Sequence, residues 1–194
     1  MSRKDNDVEN KIMKRNILWL SLIIAYNIAV FRTKQAILGC LILLIIFSIV
    51  KWISNDFETS LWCVGVMAVS PWFITLGKIG FTAIIRLGDI TTPRYGIYYL
   101  FSSCLVIIGL VRDLIEHNNK KSLLMWGWAV IGVVVAAMAK IPYVAINIVI
   151  IPLFYFISRG ITFVTYAFRR TYAIDNVVIG LLYMISTTIF FVIK

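Results

Sequence analysis

The chain has 194 residues, 61% of them hydrophobic and 14% charged, with a formal net charge of +10 and a mean hydropathy of +0.91. Soluble domains carry about 25% charged residues, and here apolar runs approaching a bilayer core of roughly 30 Å recur from residue 17 to residue 193, so no interval is left for a water-soluble domain of ordinary size. The Lys and Arg residues are scattered over the ends of these runs rather than gathered on one stripe, which argues against nucleic acid as a partner and fits the positive-inside rule.

In chain order, residues 1–16 are too polar and too mixed in charge for a secretory signal and are expected to form a retained cytoplasmic tail. Seven candidate spans follow: Ile17 to Phe31, Ala36 to Ile53, Leu61 to Leu76, Pro93 to Val111, Leu123 to Ala139, Pro142 to Ser158 and Val177 to Ile193. They are helical by default, because backbone in hydrocarbon must satisfy its own hydrogen bonds and no alternating pattern suggests a barrel. The first run covers only about 23 Å at 1.5 Å per residue and either spans with snorkelling help from its flanking Lys and Arg or lies in the interface. Seven spans is the expectation and six the rival count. The expected fold is all-α, a polytopic integral membrane helix bundle with one or more kinked or broken helices, forming one domain over residues 17–194.

With seven spans and the tail inside, the tail joins Lys51, Arg112, Lys120, Lys121, Arg159, Arg169 and Arg170 on the cytoplasmic side, against Arg32, Lys34, Lys78, Arg86, Arg94, Lys140 and Lys194 opposite. If the first run does not span, the same excess results, so counting fixes the tail and leaves the C-terminus open. Trp19, Trp52, Trp62, Trp126 and Trp128 are then expected near the cytoplasmic interface, where an indole keeps its N–H wet. The location implied is a prokaryotic cytoplasmic (inner) membrane.

Two stretches interrupt the regular pattern. Pro71 removes a helical hydrogen bond deep in the third run, and Gly77, Lys78 and Gly80 weaken the next turn, so a broken helix or cavity lining is expected there. After it, "AIIRLGDITTPRYG" (83–96) reads as a capped corner, with Gly88 and Asp89 closing one segment and Thr92-Pro93 starting the next helix. The same corner offers Arg86 and Arg94 as contacts for an anion or lipid headgroup, since guanidinium forks suit phosphate oxygens.

Arg159 is the third candidate for such a contact. If the helix runs unbroken from Pro152 to Phe168, Arg159 sits near its middle and needs a partner; if the helix ends near Ser158 and Gly160, Arg159 snorkels and "ITFVTYAF" lies along the surface. The surface arrangement is the expectation. All nine acidic residues, including Asp113, Glu116 and Asp175, fall in the tail or in connections by this segmentation, so the interior is expected to hold no carboxylate. That expectation argues against a buried proton relay, an intramembrane aspartyl protease and an acid-coordinated magnesium site. His117 is the single histidine, and Cys40, Cys63 and Cys104 lie in separate runs, so no metal site or cofactor is expected and the cysteines read as small packing residues.

Small residues four apart, Ala25 with Ala29 and Gly132 with Ala136, offer grooves for neighbouring backbones, most simply within the same bundle. The expected function is a binding, anchoring or protective subunit of a membrane complex without catalysis of its own. Its expected partners are membrane lipids and either another protein or further copies of itself. A transport component is the alternative, and an enzyme acting on a lipid-linked or phosphorylated substrate the third reading.

Overall fold

The computed structural model describes residues 3–30, 33–70, 72–74, 96–116, 121–138 and 142–172. Its main helices are α1 (Arg3–Val30), α2 (Thr33–Ser54), α3 (Phe57–Val69), α4 (Gly96–Ile115), α5 (Ser122–Met138) and α6 (Pro142–Tyr172), and no strand occurs among the described residues. Gln35–Ser54 of α2 and Ile148–Ala167 of α6 are long and apolar enough to cross a membrane; Ile17–Ala29, Phe57–Val69 and Ser122–Val135 are shorter apolar stretches. Among the described residues, length and composition thus qualify two helices rather than seven. The seventh expected run, Val177 to Ile193, lies outside the described residues, as do Pro71, Gly77, Lys78, Gly80, Arg86, Arg94 and His117.

Local chemistry explains the helix ends. Asn55 takes the left-handed conformation, φ 54°, and its N–H donates to the Lys51 carbonyl at 3.0 Å, closing α2 as a helix C-terminus that Asn tolerates well. Asp56 then caps α3, its carboxylate accepting from the backbone N–H groups of Glu58 and Thr59. At the far end of α3, Ser70 leaves the helix at ψ 142°, as expected for a residue that precedes proline. Its hydroxyl accepts from the Phe73 N–H at 3.2 Å, so the residue that stops α3 also caps the helical residues 72–74.

The bundle is packed around α3 and α6. Every residue from Thr59 to Val69 of α3 is buried, and α3 packs on α1, α2 and α6, while α6 also makes the most extensive helix contact of the fold with α4 and packs on α5. The outer helices show the reverse: Ile37, Leu41, Leu44 and Ile45 of α2 and Leu123, Val130, Ile131 and Val134 of α5 are exposed. Large aliphatic side chains cover the outside as well as the inside, a distribution that suits a lipid surround better than water.

Three sequence expectations change. Ala25 and Ala29 are exposed and face away from the bundle, so their groove receives no backbone from the described residues, whereas Gly132 packs against Ile148 and Val149 of α6. Trp19 and Trp62 pack on each other inside the core, ring centroids 5.4 Å apart and planes tilted by 49°, rather than keeping their indoles wet, and the Trp19 Nε1 has no hydrogen-bond partner among the described residues. And α6 does not stop at Ser158-Gly160. It continues to Tyr172, which puts Arg159 well inside the helix.

Gly160 belongs there because of what it touches. A Cβ on Gly160 would overlap the Leu105 carbonyl, and one on Gly109 would overlap the Phe156 carbonyl, so α4 and α6 meet backbone to backbone at two glycines. Gly160 therefore serves as a crossing point rather than a helix terminator. Gly109→Ala and Gly160→Ala are each expected to destabilise the purified protein by about 1–3 kcal/mol or more, since the obstacle is backbone and cannot swing aside. Gly127→Ala in α5, where a Cβ meets nothing within 4 Å, is expected to be neutral or stabilising by about 0.5–1 kcal/mol. Thermal unfolding in detergent measures all three; equal Tm for Gly109→Ala and the parent chain would contradict the tight crossing.

Candidate functional site: a charged pocket between helix ends

One helical turn beyond the glycine crossing, α4 carries charge. Val111 is the end of the apolar run, yet the helix continues through Ile115 and places Asp113 on the inner face with Ser102, Leu105 and Gly109. Asp113 is 5% exposed and Arg159, from α6, is 9% exposed. The guanidinium Nε of Arg159 lies 3.3 Å from Asp113 Oδ1, and its Nη2 donates to Glu116 Oε2. The interior of the bundle therefore contains a carboxylate, and the expectation of an acid-free interior is corrected. The helix is extended past its apolar segment because Asp113 finds in α6 the counter-charge that burial requires.

Other groups complete the neutralisation. Asp113 Oδ2 accepts from the Trp126 indole N–H at 2.8 Å and Oδ1 from the Tyr155 hydroxyl at 3.1 Å, so the carboxylate takes donors from both α5 and α6. Arg112 reaches across to α6 by donating to the Thr162 hydroxyl at 2.8 Å and to the Arg159 carbonyl at 3.3 Å. It also donates to Glu116 Oε1 at 2.8 Å along its own helix. Glu116 is thus gripped by two arginines. Its own burial raises the carboxyl pKa, but the Arg112 hydrogen bond and the charges of Arg159 and Arg112 outweigh that and hold it below the ordinary carboxylate value.

The cluster borders a cavity of about 480 Å³ lined by Ser54, Asn55, Asp113, Glu116, Lys121, Tyr155 and Arg159. Ser54 and Asn55 come from the α2–α3 turn, Glu116 and Lys121 from the two sides of the α4–α5 connection, and Tyr155 and Arg159 from α6. Lys121 is drawn toward α2, with its ammonium 4.7 Å above the Trp52 ring and 3.4 Å from the Trp52 carbonyl. Lys121, Arg112 and Arg159, which charge counting assigned to one side, meet at one end of α2–α5. One polar atom here is unsatisfied. Arg159 Nε is buried and, although 3.3 Å from Asp113 Oδ1, is not aligned with any hydrogen-bond acceptor among the described residues.

No family model, curated protein or solved structure matches this chain. What the pocket does must be argued from its own groups. Of the sequence candidates for anion contact, Arg159 lies in the pocket wall, while Arg86 and Arg94 belong to the residues outside the description. Sequence reasoning missed Arg112, Asp113, Glu116, Lys121, Trp126 and Tyr155. The available signal was the spacing in "RDLIE": Arg112 and Glu116 are four apart, and continuing the helix one turn would have set Asp113 in register with Gly109. Among the described residues, no group of three His, Cys, Asp or Glu side chains is placed to hold a metal ion.

The chemistry available is charge recognition. Asp113 accepts from cationic and neutral donors, and Arg159 presents a planar guanidinium fixed by its partners. Arg159→Leu is expected to insert but to lose about 3–5 kcal/mol of stability, because it leaves Asp113 buried without its counter-charge. Combining it with Asp113→Asn should recover part of that loss; a double-mutant cycle on detergent unfolding gives the coupling, and additive effects would show that the pair does not interact. Glu116, whose folded pKa lies below the ordinary 4.5, contributes stability that is fully present above that value and is lost as pH falls through the lower folded-state pKa. Glu116→Gln is expected to flatten the acid limb of stability below about pH 4.5, as read from Tm against pH.

Proposed function

We propose that the chain is an integral membrane protein of the prokaryotic cytoplasmic membrane that binds a small polar ligand in the Asp113–Arg159 pocket, acting as a binding or anchoring component without making or breaking bonds. The observation that supports this best is a fixed, almost completely buried ion pair opening onto a polar cavity in a bundle whose outer surface is aliphatic. A buried charge in such a bundle is a functional-site hypothesis by default. The pairing favours recognition over proton transfer: each carboxylate is engaged by an arginine and a further donor, so its oxygens are already held by fixed partners. The positive-inside count supports a pocket facing the cytoplasm, since Lys51, Arg112, Lys121 and Arg159 fall on the same side in that arrangement.

Transport is the second reading, favoured by the cavity's position between helix ends, where alternating openings are commonly built. Assembly with another protein or with further copies is compatible with the outward-facing Ala25 and Ala29 of α1. Native mass spectrometry of the full chain, released from detergent after purification, tests the binding reading. A retained small ligand is expected in the parent chain, and at least a tenfold weaker signal in Arg159→Gln. Leu123→Ala on the outer face of α5 should retain it. Equal retention by folded Arg159→Gln would sink the assignment of this pocket.

A further inference from the structure

Resting on that binding reading, we propose that the pocket takes a zwitterion: an oxyanion, phosphate or carboxylate, joined by a short linker to a primary ammonium. Its wall carries both signs of charge, Arg159 and Lys121 against Asp113 and Glu116. A simple anion entering beside Arg159 meets the two carboxylates, and a simple cation beside Glu116 meets the guanidinium. A ligand that carries both charges places each against its opposite.

The bonding capacity at the wall is likewise divided. On the donor side, Arg159 is nine-tenths buried in the cavity wall, its Nε 3.3 Å from Asp113 Oδ1 without an aligned hydrogen bond among the described residues. An oxyanion at this wall meets a guanidinium held in place by Asp113 and Glu116, and carboxylates and phosphates receive guanidinium N–H bonds at short range. The Lys121 ammonium, steadied over Trp52, stands at the same cavity as a second positive charge. On the acceptor side, the Glu116 side chain is 47% exposed beyond its two arginine contacts, so its oxygens remain accessible to further N–H donors. A carboxylate that is already ionised, as the lowered pKa of Glu116 indicates, suits a primary ammonium, whose N–H groups a quaternary ammonium lacks.

Size and position agree with this chemistry. The cavity of about 480 Å³ lies in the range of small-molecule sites, roughly 300–1,000 Å³, and it opens between helix ends beside an aliphatic exterior. An ethanolamine-phosphate headgroup on a lipid and a free amino acid or phosphoethanolamine in solution share the required groups.

The test places the purified full chain in nanodiscs of phosphatidylcholine doped with either phosphatidylethanolamine or phosphatidylglycerol, and measures bound lipid by native mass spectrometry. In parallel, phosphoethanolamine and glycine are titrated calorimetrically into detergent-solubilised protein. Preference for the ethanolamine lipid by tenfold or more over both other lipids supports a lipid source; saturable binding of the soluble zwitterions supports a solution source. Either result should fall at least fivefold in Glu116→Gln and in Lys121→Gln, mouth variants that leave the Asp113–Arg159 pair in place, with folding checked by Tm. Arg159→Lys, which keeps charge but removes the planar guanidinium fork, should weaken binding by a similar factor. Glycerol or choline lipid bound as tightly as the ethanolamine lipid, with no soluble zwitterion bound, overturns the zwitterion while leaving a binding pocket. A correctly folded parent chain that retains no polar ligand of any class overturns both.

Discussion

An arginine buried among aliphatic side chains has to be neutralised within the protein, and the arrangement of α4, α5 and α6 follows from how Arg159 is neutralised. A lone guanidinium in a low-dielectric bundle would be strongly unfavourable. Asp113 and Glu116 supply the counter-charges, Trp126 and Tyr155 complete the coordination of Asp113, and Arg112 ties the far side of Glu116 back to α6. Few of these groups can move alone. Shifting α4 along α6 by one residue would rotate Asp113 out of reach and expose an apolar neighbour to the guanidinium.

The glycine crossing makes this register possible. Gly109 and Asp113 are one turn apart on α4, and Gly160 adjoins Arg159 on α6, so the point of closest backbone approach lies directly beside the ion pair. Helices that meet through bulky side chains run 8–10 Å apart; glycines at the contact bring the backbones closer and shorten the distance that the two charged side chains must bridge. Packing and electrostatics thus specify the same alignment. Their agreement is a device for uniqueness in a bundle whose other surfaces, rich in interchangeable Ile, Leu and Val, would tolerate sliding.

Much of the helical order was legible in the letters. The apolar runs beginning at Ile17, Ala36, Leu61, Pro93, Leu123 and Pro142 each correspond to a described helix, because a segment that must satisfy its own backbone bonds has few alternatives. The site was less legible. Ending a helix where hydrophobicity ends is a sound rule for an isolated segment, but it stopped α4 at Val111 and left Asp113 and Glu116 in a loop. The partner that keeps that last turn helical lies 46 residues from Asp113 and 43 from Glu116 in Arg159, and no local window contains it. Gly160 misled for a related reason. A glycine after a polar pair resembles a terminator, and only the neighbouring helix reveals that its missing side chain makes room.

The unequal lengths of the helices carry a mechanical consequence. Helix α6 has 31 residues, about 46 Å at 1.5 Å per residue, against about 26 Å for the 17-residue α5 on which it packs. If the bundle is placed across a hydrocarbon layer of roughly 30 Å, as proposed, the longer rod would lean or protrude while the shorter one would draw the lipid thin. Arg159 lies past the midpoint of the longer rod, where leaning displaces a side chain less than it displaces the tips. Changes in bilayer thickness would therefore swing the ends of α6 while the charged junction acts as a pivot.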